Sequence, residues 1–295
     1  MSATATPEVL DSRLSELGEG PMWDARTGEI FWVDILNGAA HALAPATGAA
    51  RTLRPSRLVG AILPRREPGE GWLVSLEHGP ALLGEDGEPE PLGTWAEADG
   101  AEPEVAVRCN DAKCDPRGRC LLGTMAHGAD PGCGSLYRLE PGAPLERVLA
   151  GVTISNGLAW TDDARTLYYV DTGTQRIDAF DYDLDTGALA NRRPVVEVPK
   201  EAGMPDGMTI DAEGCLWLAL WGGGAVRRYT PDGRLDRVVE LPTPQVTSCV
   251  FAGPKLDLLV ITTARLGLGP EETTAGLTFV LEPGVSGTPT LPYGG

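Results

Sequence analysis

Basic residues are in short supply: 24 Lys and Arg stand against 42 Asp and Glu, a formal net charge of −18 at pH 7. No stretch gathers them into a stripe that could neutralise a phosphate backbone, which excludes nucleic acid as a partner. The same deficit disfavours an anionic membrane surface. Long apolar runs are missing too; none approaches the roughly 18 residues a spanning helix needs. Met1 to Leu10 has neither a basic start nor an apolar core, so no secretory leader and a cytoplasmic location are expected. The six cysteines, Cys109, Cys114, Cys120, Cys133, Cys215 and Cys249, include no CxxC pair. Buried free thiols are expected, rather than disulfides or a thiolate zinc site. Histidine is rarer still: His41, His78 and His127 are the whole set, and none adjoins a nucleophile elbow, which argues against a Ser/His/Asp triad. Capped amphipathic helix patterns are almost absent, and nothing indicates a protein partner.

What the sequence does contain is a repeat. Gly20-Pro-Met-Trp-Asp24, a turn through Gly28, and Glu29-Ile-Phe-Trp-Val-Asp-Ile35 read as strand, tight turn and strand. The same grammar returns at Ala112–Thr124, Leu158–Val170 and Met208–Ala219, and more weakly at Ala61–Ser75 and Val250–Thr262. The turns begin at positions 24, 64, 115, 161, 211 and 253, giving spacings of 40, 51, 46, 50 and 42 residues. Periods in the forties filled with short strands mark propeller blades. No change of composition marks a boundary near the middle of the chain. Residues 1–295 are therefore read as one all-β domain, a six-bladed β-propeller with four antiparallel strands per blade.

Five residues before each turn stand Glu19, Val59, Asn110, Asn156, Asp206 and Ser248. In a propeller the first strand of every blade lines the central channel, so equivalent positions form a ring. Four members of this ring carry hard oxygen donors, and Gly20, Gly60, Gly157 and Gly207 follow directly after Glu19, Val59, Asn156 and Asp206. A glycine there allows the backbone to approach the axis closely. Asn-Gly and Asp-Gly are also strong turn formers, and any one of them alone would be read as a turn. Two carboxylates converging in an apolar channel repel unless they are protonated or hold a cation. Oxygen donors without sulfur or imidazole suit Ca²⁺, Mg²⁺ or Mn²⁺ and admit Zn²⁺.

These segments resemble the regucalcin/gluconolactonase (senescence marker protein) family over nearly the whole chain. The resemblance rests on Leu17-Gly-Glu19-Gly-Pro-Met-Trp-Asp24, Arg108-Cys-Asn110-Asp-Ala-Lys-Cys-Asp-Pro-Arg-Gly118, Gly123-Thr-Met125, Ser155-Asn156-Gly-Leu-Ala-Trp160, Asp178-Ala-Phe-Asp-Tyr-Asp183, Pro205-Asp206-Gly-Met208 and Thr247-Ser-Cys249. It implies a six-bladed propeller, metal ligands at Glu19, Asn156 and Asp206, and substrate contacts at Arg108 and Asn110. Members similar to regucalcin carry an acidic residue three positions after the methionine of Gly-Thr-Met. Here Ala126, His127 and Gly128 follow Met125, and His127 is either a substrate contact or a solvent-facing loop residue.

The function this implies is hydrolysis of a sugar lactone, a small-molecule substrate, at one mouth of the channel. One divalent cation is expected, Ca²⁺ or Zn²⁺ first, with Mg²⁺, Mn²⁺ or Fe²⁺ as alternatives. Asp206 is the candidate general base, and Arg108 the candidate donor to sugar oxygens. Trp23, Trp160 and Trp221 are candidates for a stacking wall or for packing between blades. Asp24, Asp115 and Asp211 are read as turn-fixing residues. Two rival functions are a calcium-binding regulatory protein without catalysis, and an organophosphate or aryl-ester hydrolase on the same scaffold.

Overall fold

Short strands joined by tight turns follow from the way each turn is built. Asp24 accepts the Arg26 amide at 3.0 Å, Asp115 the amides of Arg117 and Arg119, and Asp211 those of Glu213 and Cys215, each at 2.9 Å. An aspartate that bonds the amide two residues ahead closes a turn without help from the rest of the fold. The computed structural model describes residues 6–67, 69–85, 87–101 and 103–295. Its only α-helix among those residues is the five-residue Trp95–Asp99.

The chain forms six four-stranded antiparallel sheets. Their inner strands are Gly18–Asp24, Val59–Pro64, Val107–Cys114, Ser155–Trp160, Met204–Ile210 and Val246–Ala252, belonging to blades one to six. Each inner strand touches the inner strands of both neighbouring blades, and blade six meets blade one, so the ring is closed. This is the six-bladed β-propeller expected from the repeat.

The closure itself was not legible in the repeat. The outermost strand of blade six is Glu8–Asp11, from the start of the chain, paired antiparallel with Thr278–Leu281 from near its end. Without it the edge of Thr278–Leu281 would lie open, with unpaired amides and carbonyls. A chain truncated through Asp11 is expected to lose about 2–4 kcal/mol, at roughly 1 kcal/mol per ladder hydrogen bond. Thermal unfolding followed by circular dichroism measures this; an unchanged midpoint would show that the strand is not the clasp.

The core lies between blades. Phe31 of blade one packs on Trp72 of blade two with centroids 5.3 Å apart, and Trp217 of blade five meets Phe251 of blade six edge-on at 5.9 Å. Trp23 packs with Val250 and Val260 of blade six, and Trp160 with Leu121 and Leu136 of blade three. Both are interblade core. Trp221, on the second strand of blade five, is only partly buried. All six cysteines are free; five are buried and Cys133 is half-exposed, a departure from the expectation for that residue. Among the described residues no helix is long and apolar enough to cross a membrane.

Candidate functional site

All six inner strands have a register irregularity at the ring position. The shifts fall between Glu19 and Met22, Val59 and Ala61, Cys109 and Ala112, Ser155 and Leu158, Pro205 and Met208, and Val246 and Ser248. A bulge adds an unpaired residue, increases the local twist and re-aims side chains. Here it breaks strict alternation where each strand passes the channel. The glycines that follow serve a different contact from the one expected. A Cβ on Gly157 would lie 2.6 Å from Met208 Cβ and 2.7 Å from its amide nitrogen, so the close approach is between adjacent inner strands. Gly20 additionally has a φ of +49°, a backbone that favours glycine.

Glu19, Asn156 and Asp206 are 6%, 3% and 5% exposed, on blades one, four and five. Burial pushes the Glu19 carboxyl well above the usual range, and the charges of Asp206 and Asp111 push it further. Asp206 is raised likewise, by burial first and then by Asp111, with the Asn156 side chain, the Gly207 amide and Arg108 opposing. The two carboxylates are thus close enough to repel in a low-dielectric channel, a standing demand for a positive charge.

Asn156 supplies the more telling detail. Its Nδ2 donates to Thr172 Oγ1 at 2.9 Å, and the Thr172 hydroxyl donates to the Pro205 carbonyl at 2.8 Å. With its own proton committed to that carbonyl, Thr172 can only accept, which fixes the amide so that Nδ2 faces it. Asn156 Oδ1 is left buried without a hydrogen-bond partner. A buried acceptor with no donor costs about 1–3 kcal/mol unless something absent from the protein satisfies it. Among the described residues no three His, Cys, Asp or Glu side chains cluster as a metal site. The donor set here is two carboxylates and an amide oxygen, and hard divalent cations take amide oxygens readily.

Arg108, 8% exposed, donates through Nη1 to the Cys109 carbonyl at 2.8 Å and to Asn110 Oδ1 at 2.9 Å. Asn110 Nδ2 in turn donates to the Ser155 carbonyl at 2.8 Å. Asn110 therefore braces Arg108 and ties blade three to blade four. Burial lowers the Arg108 pKa, while Cys109, Glu19 and Asp206 support its charge, so the guanidinium lies within electrostatic reach of the ring. His127 is exposed in the turn after Cys120–Ala126, a strand whose end pairs with Val107 and Arg108. It stands at the rim on the Arg108 side of the ring and is not brought into the cluster.

Sequence reasoning missed Asp111, whose charge acts on both ring carboxylates, along with Thr172 and Lys113. The bulge explains the first omission, because Asn110 and Asp111 are consecutive and both buried, against simple alternation.

Residues 17–265 match the family model described as SMP-30/Gluconolactonase/LRE-like region. The chain belongs to this family. Among curated members, it is 36% identical to regucalcin of Danio rerio, covering 98% of both chains. It is 34% identical to pentonolactonase XacC of Haloferax volcanii, over 92% of this chain and 93% of that one. Among solved members, a structure described as a calcium-binding protein, regucalcin, from Agrobacterium tumefaciens superposes with a TM-score of 0.90. That structure is 30% identical, over 99% of this chain and 97% of its own.

Proposed function

We propose that this protein hydrolyses a sugar lactone of the aldonolactone type to the sugar acid, with one divalent cation held by Glu19, Asn156 and Asp206. The observation that carries the reading is the unsatisfied Asn156 Oδ1 beside two mutually repelling buried carboxylates. The names of the relatives support it: pentonolactonase for the lactone, and calcium-binding protein for a hard divalent ion.

When bound, such a cation acts as a Lewis acid toward a carbonyl oxygen. The chain's own residues do the rest. Arg108 presents a rigid fork to the ring oxygen or hydroxyls of the sugar. Only its Nη1 is committed to described residues, and Asn110 and the Cys109 carbonyl hold that nitrogen in place. Asp206 orients the attacking water and accepts its proton as the ester carbon becomes tetrahedral. Burial of the ring keeps bulk water out, so these charges act at low dielectric. His127 at the rim would meet the end of the substrate that is not being opened.

A substrate panel tests this. Five- and six-carbon aldonolactones are expected to be opened faster than paraoxon-like phosphotriesters or simple aryl esters, by protein containing about one divalent cation per chain on elemental analysis. Preference for the phosphotriester or aryl ester would move the assignment to the rival hydrolase. Bound cation with no turnover of any substrate would favour a non-catalytic calcium-binding role.

A further inference from the structure

Past the ring the inner strands continue and enclose a chamber of about 300 Å³, walled by Met22, Ile62, Trp160, Ile210 and Val250. Residues 288–291 line its far end. The C-terminal segment that carries them is pinned across this mouth: the Gly287 amide donates to Leu256, Tyr293 to Pro64, and Gly294 to Gly118, at 2.8–2.9 Å. Besides the exposed Asp162, two charged side chains stand in this otherwise largely apolar wall, Asp111 and Lys113, two residues apart on the inner strand of blade three. The lysine Nζ reaches over the channel to the Met208 carbonyl at 2.9 Å, from blade three to blade five, passing blade four. The proposed reaction uses neither residue.

Burial pushes the Asp111 carboxyl above its usual range, and the charge that opposes this is Lys113. Glu19, Asp111 and Asp206 place three buried carboxylates in one channel, and Asp111 acts on both of the others. A divalent cation would offset two charges and Arg108 acts on Glu19 and Asp206, which leaves Asp111 to Lys113. An uncompensated buried charge is among the most unfavourable features a fold can carry. Lys113 is the positive side chain on the chamber side; burial lowers its pKa, and the Asp111 charge opposes that shift.

We propose that Lys113 is a built-in counter-cation that takes the place of a second metal ion behind the ring, keeping Asp111 out of the ligand set. With the chamber side closed by Lys113, substrate and water would reach the ring from the side that carries Arg108 and Asn110. The inference rests on the cation reading of the ring. Lys113 is a positioning residue, because it touches neither substrate nor the reacting atoms.

Calorimetric titration of Mn²⁺, with elemental analysis, tests it on wild type, Lys113→Arg, Lys113→Met and the double variant Asp111→Asn/Lys113→Met. One cation per chain is expected for wild type and Lys113→Arg. Two are expected for Lys113→Met, and one again for the double variant. A single cation of wild-type affinity in Lys113→Met, or two in the double variant, overturns the proposal. If Lys113→Met does not fold, the double variant decides. A folded double variant with one cation supports the counter-cation role, whereas failure of both shows that the tie to Met208 is what matters and overturns it. Wild type that binds no cation overturns the reading of the ring, and the role of the lysine with it.

Discussion

Asp206→Ala is expected to lower lactone opening by about 10³-fold or more, and exhaustive chelation of the wild-type protein to do the same. The estimate joins loss of a general base, about 10²–10⁴-fold, to loss of charge stabilisation at the developing oxyanion, about 10²–10³-fold. The two are not additive where one residue serves both. Asp206 is one of the two carboxylates in the ring, and its removal also leaves Glu19 and Asn156 as the only proposed ligands. Asp206→Asn separates the roles, since it keeps an oxygen donor and loses the base. Retained cation with lost turnover would assign the base to Asp206, while loss of both would assign it chiefly as a ligand. Rates are read by acid release against the spontaneous hydrolysis of the lactone. Full activity in both the alanine variant and the chelated protein would end the mechanism.

Asp211→Ala should be strongly destabilising, at about 3–4 kcal/mol, because it removes the shared acceptor of a buried indole, two amides and one of the three carboxylate contacts of Arg228. Its carboxylate is fully buried and accepts from the Glu213 and Cys215 amides, Trp217 Nε1 and Arg228 Nε, the last two at 2.8 Å. The alanine variant leaves the indole N–H of Trp217 without its acceptor in a core that also holds Phe251, while Arg228 keeps its pairs to Glu213 and Asp236. At roughly 2–4 °C per kcal/mol for a chain of this size, the unfolding midpoint should fall by about 10 °C. Asp163→Ala, at the exposed equivalent turn of blade four, should shift it far less, because that carboxylate bonds only Thr161 and the Arg165 amide at the surface. Equal shifts in the two variants would show that the turn, and not the buried network, carries the stability.

The two aspartates also show what could be read along the chain. Asp211 begins the turn of blade five, and Asp163 stands two residues into the corresponding turn of blade four, which begins at Thr161. Whether the turn sits under a tryptophan and an arginine from neighbouring strands or faces water depends on residues 6–17 positions away, and on the register that brings them back. Asn110 is a similar case. Its motif points to substrate contact, yet its amide is spent on Arg108 and on the Ser155 carbonyl of the next blade, which spacing along one strand does not specify. Cys133 was grouped with the buried thiols because nothing local separates it from the others; its position in an exposed loop does.

The order of strands and turns, the count of six blades and the shared phase of Glu19, Asn156 and Asp206 were determined by the sequence alone. Alternation and turn chemistry act within a few residues, and the repeat renews them every 40 to 51 residues. Three features needed the closed ring: the pairing of Glu8–Asp11 with Thr278–Leu281, the bulges that turn consecutive residues into the channel, and the reach of Lys113 to Met208. Each joins groups separated by tens to hundreds of residues. Their contact depends on how six blades pack around an axis, and no local preference encodes that distance.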